Sequence, residues 1–192
     1  MTGPRYHWML VPALLVSLGA CVSSVNPIYT EDTILDEPAL VGTWAGPSGD
    51  VLKVLPGEGR SYAVAMIDQD GKGTAWVARV TRIGGLRWVD VEPAPMPAAW
   101  SDDYRGAFLP LHQFWVLQRA DSLLSLASID ADSLEALLDG HPEFGSRIRL
   151  GGSEAGNLVL AGTTGELRVL LADLASRPGF IEAGDEPMRR VR

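Results

Sequence analysis

Between Ala39 and Glu92 the chain repeats one plan: a short run rich in β-forming residues, then a tight turn containing glycine. Residues 50–55 follow Gly46-Pro47-Ser48-Gly49, and 61–67 follow Pro56-Gly57-Glu58-Gly59. Residues 73–83 follow Asp70-Gly71-Lys72, and 86–92 follow the two-residue link Gly84-Gly85. Gly-Gly and Asp-Gly pairs tolerate the positive φ that hairpin turns need, so these runs predict consecutive antiparallel strands. Four strands joined this closely make a meander.

The rest of the chain is read against that meander. Residues 93–110 begin Pro-Ala-Pro-Met-Pro and deny backbone donors at Pro93, Pro95, Pro97 and Pro110, so a long loop is expected there. It carries Met96, Trp100, Tyr104 and Phe108, which favours folding back over one end of the sheet rather than working as a mobile lid. Residues 111–119 and 123–129 read as another hairpin. Asp132 with Glu135, and Thr163 with Glu166, have the spacing of helix capping boxes. Leu134, Leu137 and Leu138 give the first helix its apolar stripe, and Leu167, Leu170, Leu171 and Leu174 give the second. Residues 147–150 and 157–161 suggest short strands between the helices. The expected fold class is α+β, mainly β: an antiparallel meander or small barrel with two short helices near the C-terminus.

Composition narrows the function. The chain has 192 residues and a net charge of −8, which suits one domain and argues against a nucleic-acid partner. Cys21 is the only cysteine, so neither a disulfide nor a multi-cysteine metal site is available. Asp68-Gln69-Asp70-Gly71-Lys72-Gly73 starts like a calcium loop but lacks the closing Glu, and reads as a hairpin turn. Asp130 and Asp132 read as helix-start residues rather than metal ligands. His112 falls two residues before Phe114, on the same face of a strand, and His141 at a helix stop. Neither belongs to a Ser-His-Asp pattern, and there is no Gly-x-Ser-x-Gly elbow or His-Glu-x-x-His, so the expectation is a non-catalytic protein without metal or cofactor.

Residues 1–20 hold a single charge, Arg5, and an apolar run from Trp8 to Ala20 that is too short to span a bilayer. The run ends Leu18-Gly19-Ala20-Cys21. This stretch resembles the lipobox of bacterial lipoproteins. The resemblance implies cleavage before Cys21, a diacylglyceryl group on its sulfur, and usually an acyl chain on the new amine. Two or three chains give stable anchoring where one does not. Val22 follows in place of the Asp that favours inner-membrane retention, which leans toward the outer membrane facing the periplasm. The expected organisation is a signal peptide over 1–20, a lipidated tether over 21–38, one β-rich domain over 39–182 and a solvated polar tail over 183–192.

Gly42-Thr43-Trp44, directly before the meander, resembles the Gly-x-Trp motif of lipocalin-like barrels, where the tryptophan plugs one end. Asp103-Tyr104 is similar to part of a second lipocalin motif, but no arginine can be assigned to pack on Trp44. Over most of the chain, Asn26-Pro27-x-Tyr29 and Val41-Gly42-Thr43-Trp44 resemble uncharacterised bacterial lipoproteins, a group that brings no activity with it. Trp44, Trp76, Trp88 and Trp115 are candidate core aromatics, with a ligand-facing role open to one or two of them. The leading expectation is a membrane-anchored binding or interaction module of the cell envelope, whose partner is an envelope protein or a small hydrophobic ligand. The alternatives are a lipocalin-like carrier of such a ligand and an enzyme with an unrecognised site.

Overall fold

The computed structural model of the chain describes residues 22–95, 109–141, 146–150, 157–182, 184 and 186–191. Its centre is a closed antiparallel barrel of eight strands, with two helices near the C-terminus. Seven barrel strands run in sequence as a meander: β3 (Gly42–Ala45), β4 (Val51–Pro56), β5 (Tyr62–Ile67), β6 (Gly73–Ile83), β7 (Leu86–Pro93), β8 (His112–Ala120) and β9 (Leu123–Ile129). The eighth, β13 (Met188–Val191), lies between β9 and β3 and closes the cylinder. The polar tail expected over 183–192 is therefore corrected: its residues 188–191 are a wall of the barrel. The stretch Met-Arg-Arg-Val is half-apolar, and closure of the sheet gives it a partner on each side.

The Gly84-Gly85 link turns as its composition requires, with φ of 59° and 81°. Gly84 is required for a second reason. A Cβ there would lie 2.6 Å from the Ala175 side chain and 3.1 Å from the Ala172 Cα, because helix α2 (Thr164–Ser176) packs straight onto the hairpin. Helix α1 (Ala131–Gly140) is capped by Asp130, whose side chain accepts from the Ser133 N–H; the cap is thus two residues earlier than the Asp132 start expected. Thr163 and Glu166 form the capping box of α2 as their spacing predicts.

There are two apolar cores. One fills the barrel: Leu40, Trp44, Val54, Tyr62, Val80, Val89, Leu117 and Leu124 meet inside it. The other lies on the outer wall, where Trp88, Phe114 and Val116 are covered by Leu134 and Leu138 of α1 and by Leu167, Leu170, Leu171 and Leu174 of α2. Strand alternation separates them: on β7, Trp88 and Asp90 face out while Val89 and Val91 face in.

The tether expected over 21–38 is also corrected, across residues 22–38. Strand β1 (Val22–Ser24) is buried between the start of β8 and β11 (Asn157–Leu160), and β10 (Arg147–Leu150) extends this sheet. The chain then crosses the outer wall. Ile28 and Ile34 are fully buried, and β2 (Ile34–Leu35) pairs with the end of β6. Arg168 donates to the Ile28 carbonyl and Arg60 to those of Glu31 and Ile34. This N-terminal strap is polar in composition, but its isoleucines and captured carbonyls belong to the fold. The last short strand, β12 (Ile181–Glu182), pairs with β9.

Candidate functional site

The floor of the barrel is sealed. Trp44 has no exposed surface, and its indole N–H donates to the Leu40 carbonyl at 3.0 Å. The Arg190 guanidinium on β13 lies 4.1 Å from the centre of the Trp44 ring, close enough for a cation–π contact. Its nitrogens donate to the carbonyls of Ala39, Val41 and Asp121 at 2.6–2.8 Å. Arg190 is the arginine for which the sequence offered no position. Its side chain ties the segment leading into β3, the β8–β9 turn and the closing strand together beneath the tryptophan.

Toward the other end the interior opens. Leu52, Val64, Val91, Leu126 and Met188 pack on the inner core but remain partly exposed. Alternation along β5, β6 and β8 carries the same face on to Met66, Trp76 and Trp115. Trp76 and Trp115 are partly exposed, and Met66 is 43% exposed. The Trp76 indole N–H is occupied by the Thr74 hydroxyl at 3.0 Å, so the face it presents inside is apolar. The inner wall thus grades from a dry floor at Trp44 to an apolar, solvent-reached rim. The four candidate tryptophans separate accordingly: Trp44 is floor, Trp76 and Trp115 line the open half, and Trp88 is outer core, donating to the Ile83 carbonyl and meeting Phe114 edge-on. The loop expected to fold back over one end of the sheet falls mainly on 96–108, with Met96, Trp100, Tyr104 and Phe108, and lies outside the described residues. So does Cys21.

A second polar constellation sits on the outer wall. His112 is buried, and its Nδ1 is 2.7 Å from Asp90 Oδ1. The other Asp90 oxygen accepts the Ile28 N–H at 2.9 Å. His112 Nε2 lies 3.9 Å from Glu92, which pairs with Arg79 at 2.6 Å. Arg79 in turn lies over the Tyr29 ring, and Tyr29 meets His112 edge-on. Burial pushes the Tyr29 hydroxyl up to about 12, with Glu92 and Asp90 adding to the rise and Arg79 opposing it.

An Asp–His pair can orient a general base, and Ser24 stands opposite His112 in the β1–β8 register, but the Ser24 hydroxyl donates to the Asn26 carbonyl at 2.6 Å. The pair instead clasps the strap through Ile28. His141 caps the end of α1, its N–H donating to the Leu138 carbonyl. At Asp68–Lys72 the Asp68 carboxylate accepts the N–H groups of Asp70 and Lys72, as a hairpin turn requires. No group of three metal-ligating side chains occurs among the described residues. Comparison with family models, curated proteins and solved structures finds no match to this chain.

Proposed function

We propose that the protein is a lipid-anchored binding module of the bacterial cell envelope, and that its barrel takes a small apolar ligand in the open half. The observation that carries the ligand reading is the grading of the inner wall. Trp44, Val80 and Leu117 are sealed, while Trp76, Trp115 and Met66 keep apolar surface facing water. Apolar concavities with few polar groups are the usual form of small-molecule sites. The anchor rests on Leu18, Ala20 and Cys21 at the end of a short apolar run.

The ligand reading is tested with N-phenyl-1-naphthylamine, an uncharged apolar fluorophore. Its emission should rise on binding and quench tryptophan fluorescence, and Trp115→Ala or Trp76→Ala should weaken it several-fold. Failure to bind, or binding that both variants leave unchanged, removes the ligand reading. Cys21→Ser should abolish labelling by radioactive palmitate, and labelling that persists removes the anchor.

A second reading rests on the same end of the barrel. Met66 and Ile67 at the close of β5, and Leu109 before β8, are exposed at 40–62%. A protein partner covering this rim would bury them.

A further inference from the structure

We propose that a groove beside the β6–β7 hairpin binds a small amphipathic anion, specifically a carboxylate carrying an alkyl chain, at a site separate from the barrel's open end. The groove has a volume of about 640 Å³ and is open to solvent. Arg82, Arg87 and Gln118 supply its polar lining, and Leu86, Val116 and Ile181 supply apolar lining.

Its electrostatics are unbalanced. Arg82 and Arg87 are direct partners across the β6–β7 ladder, and like charges so placed repel. Glu37 answers Arg87 at 2.5 Å. Arg82 is exposed, and among the described residues no carboxylate pairs with it. A chain of net charge −8 therefore sets two guanidinium groups side by side here against one paired carboxylate, Glu37.

The third polar group is set by a local irregularity. The β8–β9 register shifts between Leu117 and Arg119, at Gln118. Bulges of this kind re-aim side chains. The Gln118 amide oxygen accepts from Ser125, which leaves its two N–H donors for another acceptor. A guanidinium fork and an amide donor match the two oxygens of a carboxylate. The apolar residues beside them fit the first carbons of a chain.

The experiment uses the purified protein with decanoate, decanol and decyltrimethylammonium, each kept below its micelle concentration. Decanoate is expected to shift the backbone amide resonances of residues 82–87 and of Gln118, and to bind more weakly as salt rises. Arg82→Gln is expected to weaken decanoate about tenfold, the scale of one lost charge-assisted hydrogen bond. Because Arg82 is exposed, its melting temperature should stay near that of the parent. Equal binding of decanol or of the cation, or unchanged decanoate binding by Arg82→Gln, overturns the proposal. Resonance shifts confined to Trp76 and Trp115 also overturn it, and at the same time support a ligand in the barrel. Shifts at the hairpin with no binding of the naphthylamine probe support this groove and remove the barrel ligand.

Discussion

Trp44 is held from several directions: the inner core packs on its ring, Leu40 takes its N–H and Arg190 covers one face. Removing it leaves a large void and strips the Leu40 carbonyl of its donor. Trp44→Ala is expected to cost about 3–5 kcal/mol in denaturant melts, the range for a large buried aromatic. A cost within about 0.5 kcal/mol, typical of a surface position, would mean the floor is not built on it. Arg190 contributes in a different way. Its three carbonyl partners belong to segments up to 151 residues away in sequence, so it is a crosslink as well as a cover. The three-residue motif around Trp44 was readable in the sequence because the meander starts beside it. The arginine was not, because nothing local to β13 marks which ring it reaches.

At the scale of elements, the strap shows how polar composition can conceal structure. Residues 22–38 contain prolines and acids and read as a spacer. Yet Ile28 and Ile34 are buried, and arginines from α2 and the β4–β5 turn hold the backbone between them. The Asp90–His112 pair closes one end of it. Removing Asp90 leaves the buried Ile28 N–H and His112 Nδ1 without their partner, so Asp90→Ala is expected to cost about 1–3 kcal/mol for each group left unsatisfied. Its diagnostic signature is local: the Ile28 amide should exchange with solvent much faster, measured against amides in β5. Equal protection at Ile28 in both proteins would show that the clasp is not what holds the strap. Hairpins β6–β7 and β8–β9 were legible because turn chemistry is local. The pairing of Asp90 with His112 was not, because it depends on the β7–β8 register and the long proline-rich connection between those strands leaves that register open.

For the molecule as a whole, two tyrosines set an alkaline limit. Burial raises Tyr29 from 10.0 to about 12, and burial is also the first cause of the upward shift at Tyr62. In both, the folded state keeps a proton that the unfolded chain gives up sooner. Both contributions are complete below the unfolded value; that of Tyr29 fades as pH climbs from about 10 toward about 12, and that of Tyr62 fades as pH rises above about 10. Thermal melts across that interval should show a falling midpoint, with a shallower fall in Tyr29→Phe. Parallel declines in the two proteins would remove Tyr29 as a source. Closure of the barrel has a consequence for biosynthesis. The chain emerges N-terminus first, whether from a ribosome or from a translocation channel, and the meander precedes β13, so for a time the sheet has β3 and β9 as bare borders, each able to capture a neighbouring chain. The interval between emergence of Ile129 and of Val191 is therefore when this protein most needs a chaperone, and the two helices that appear within it are the first cover it receives.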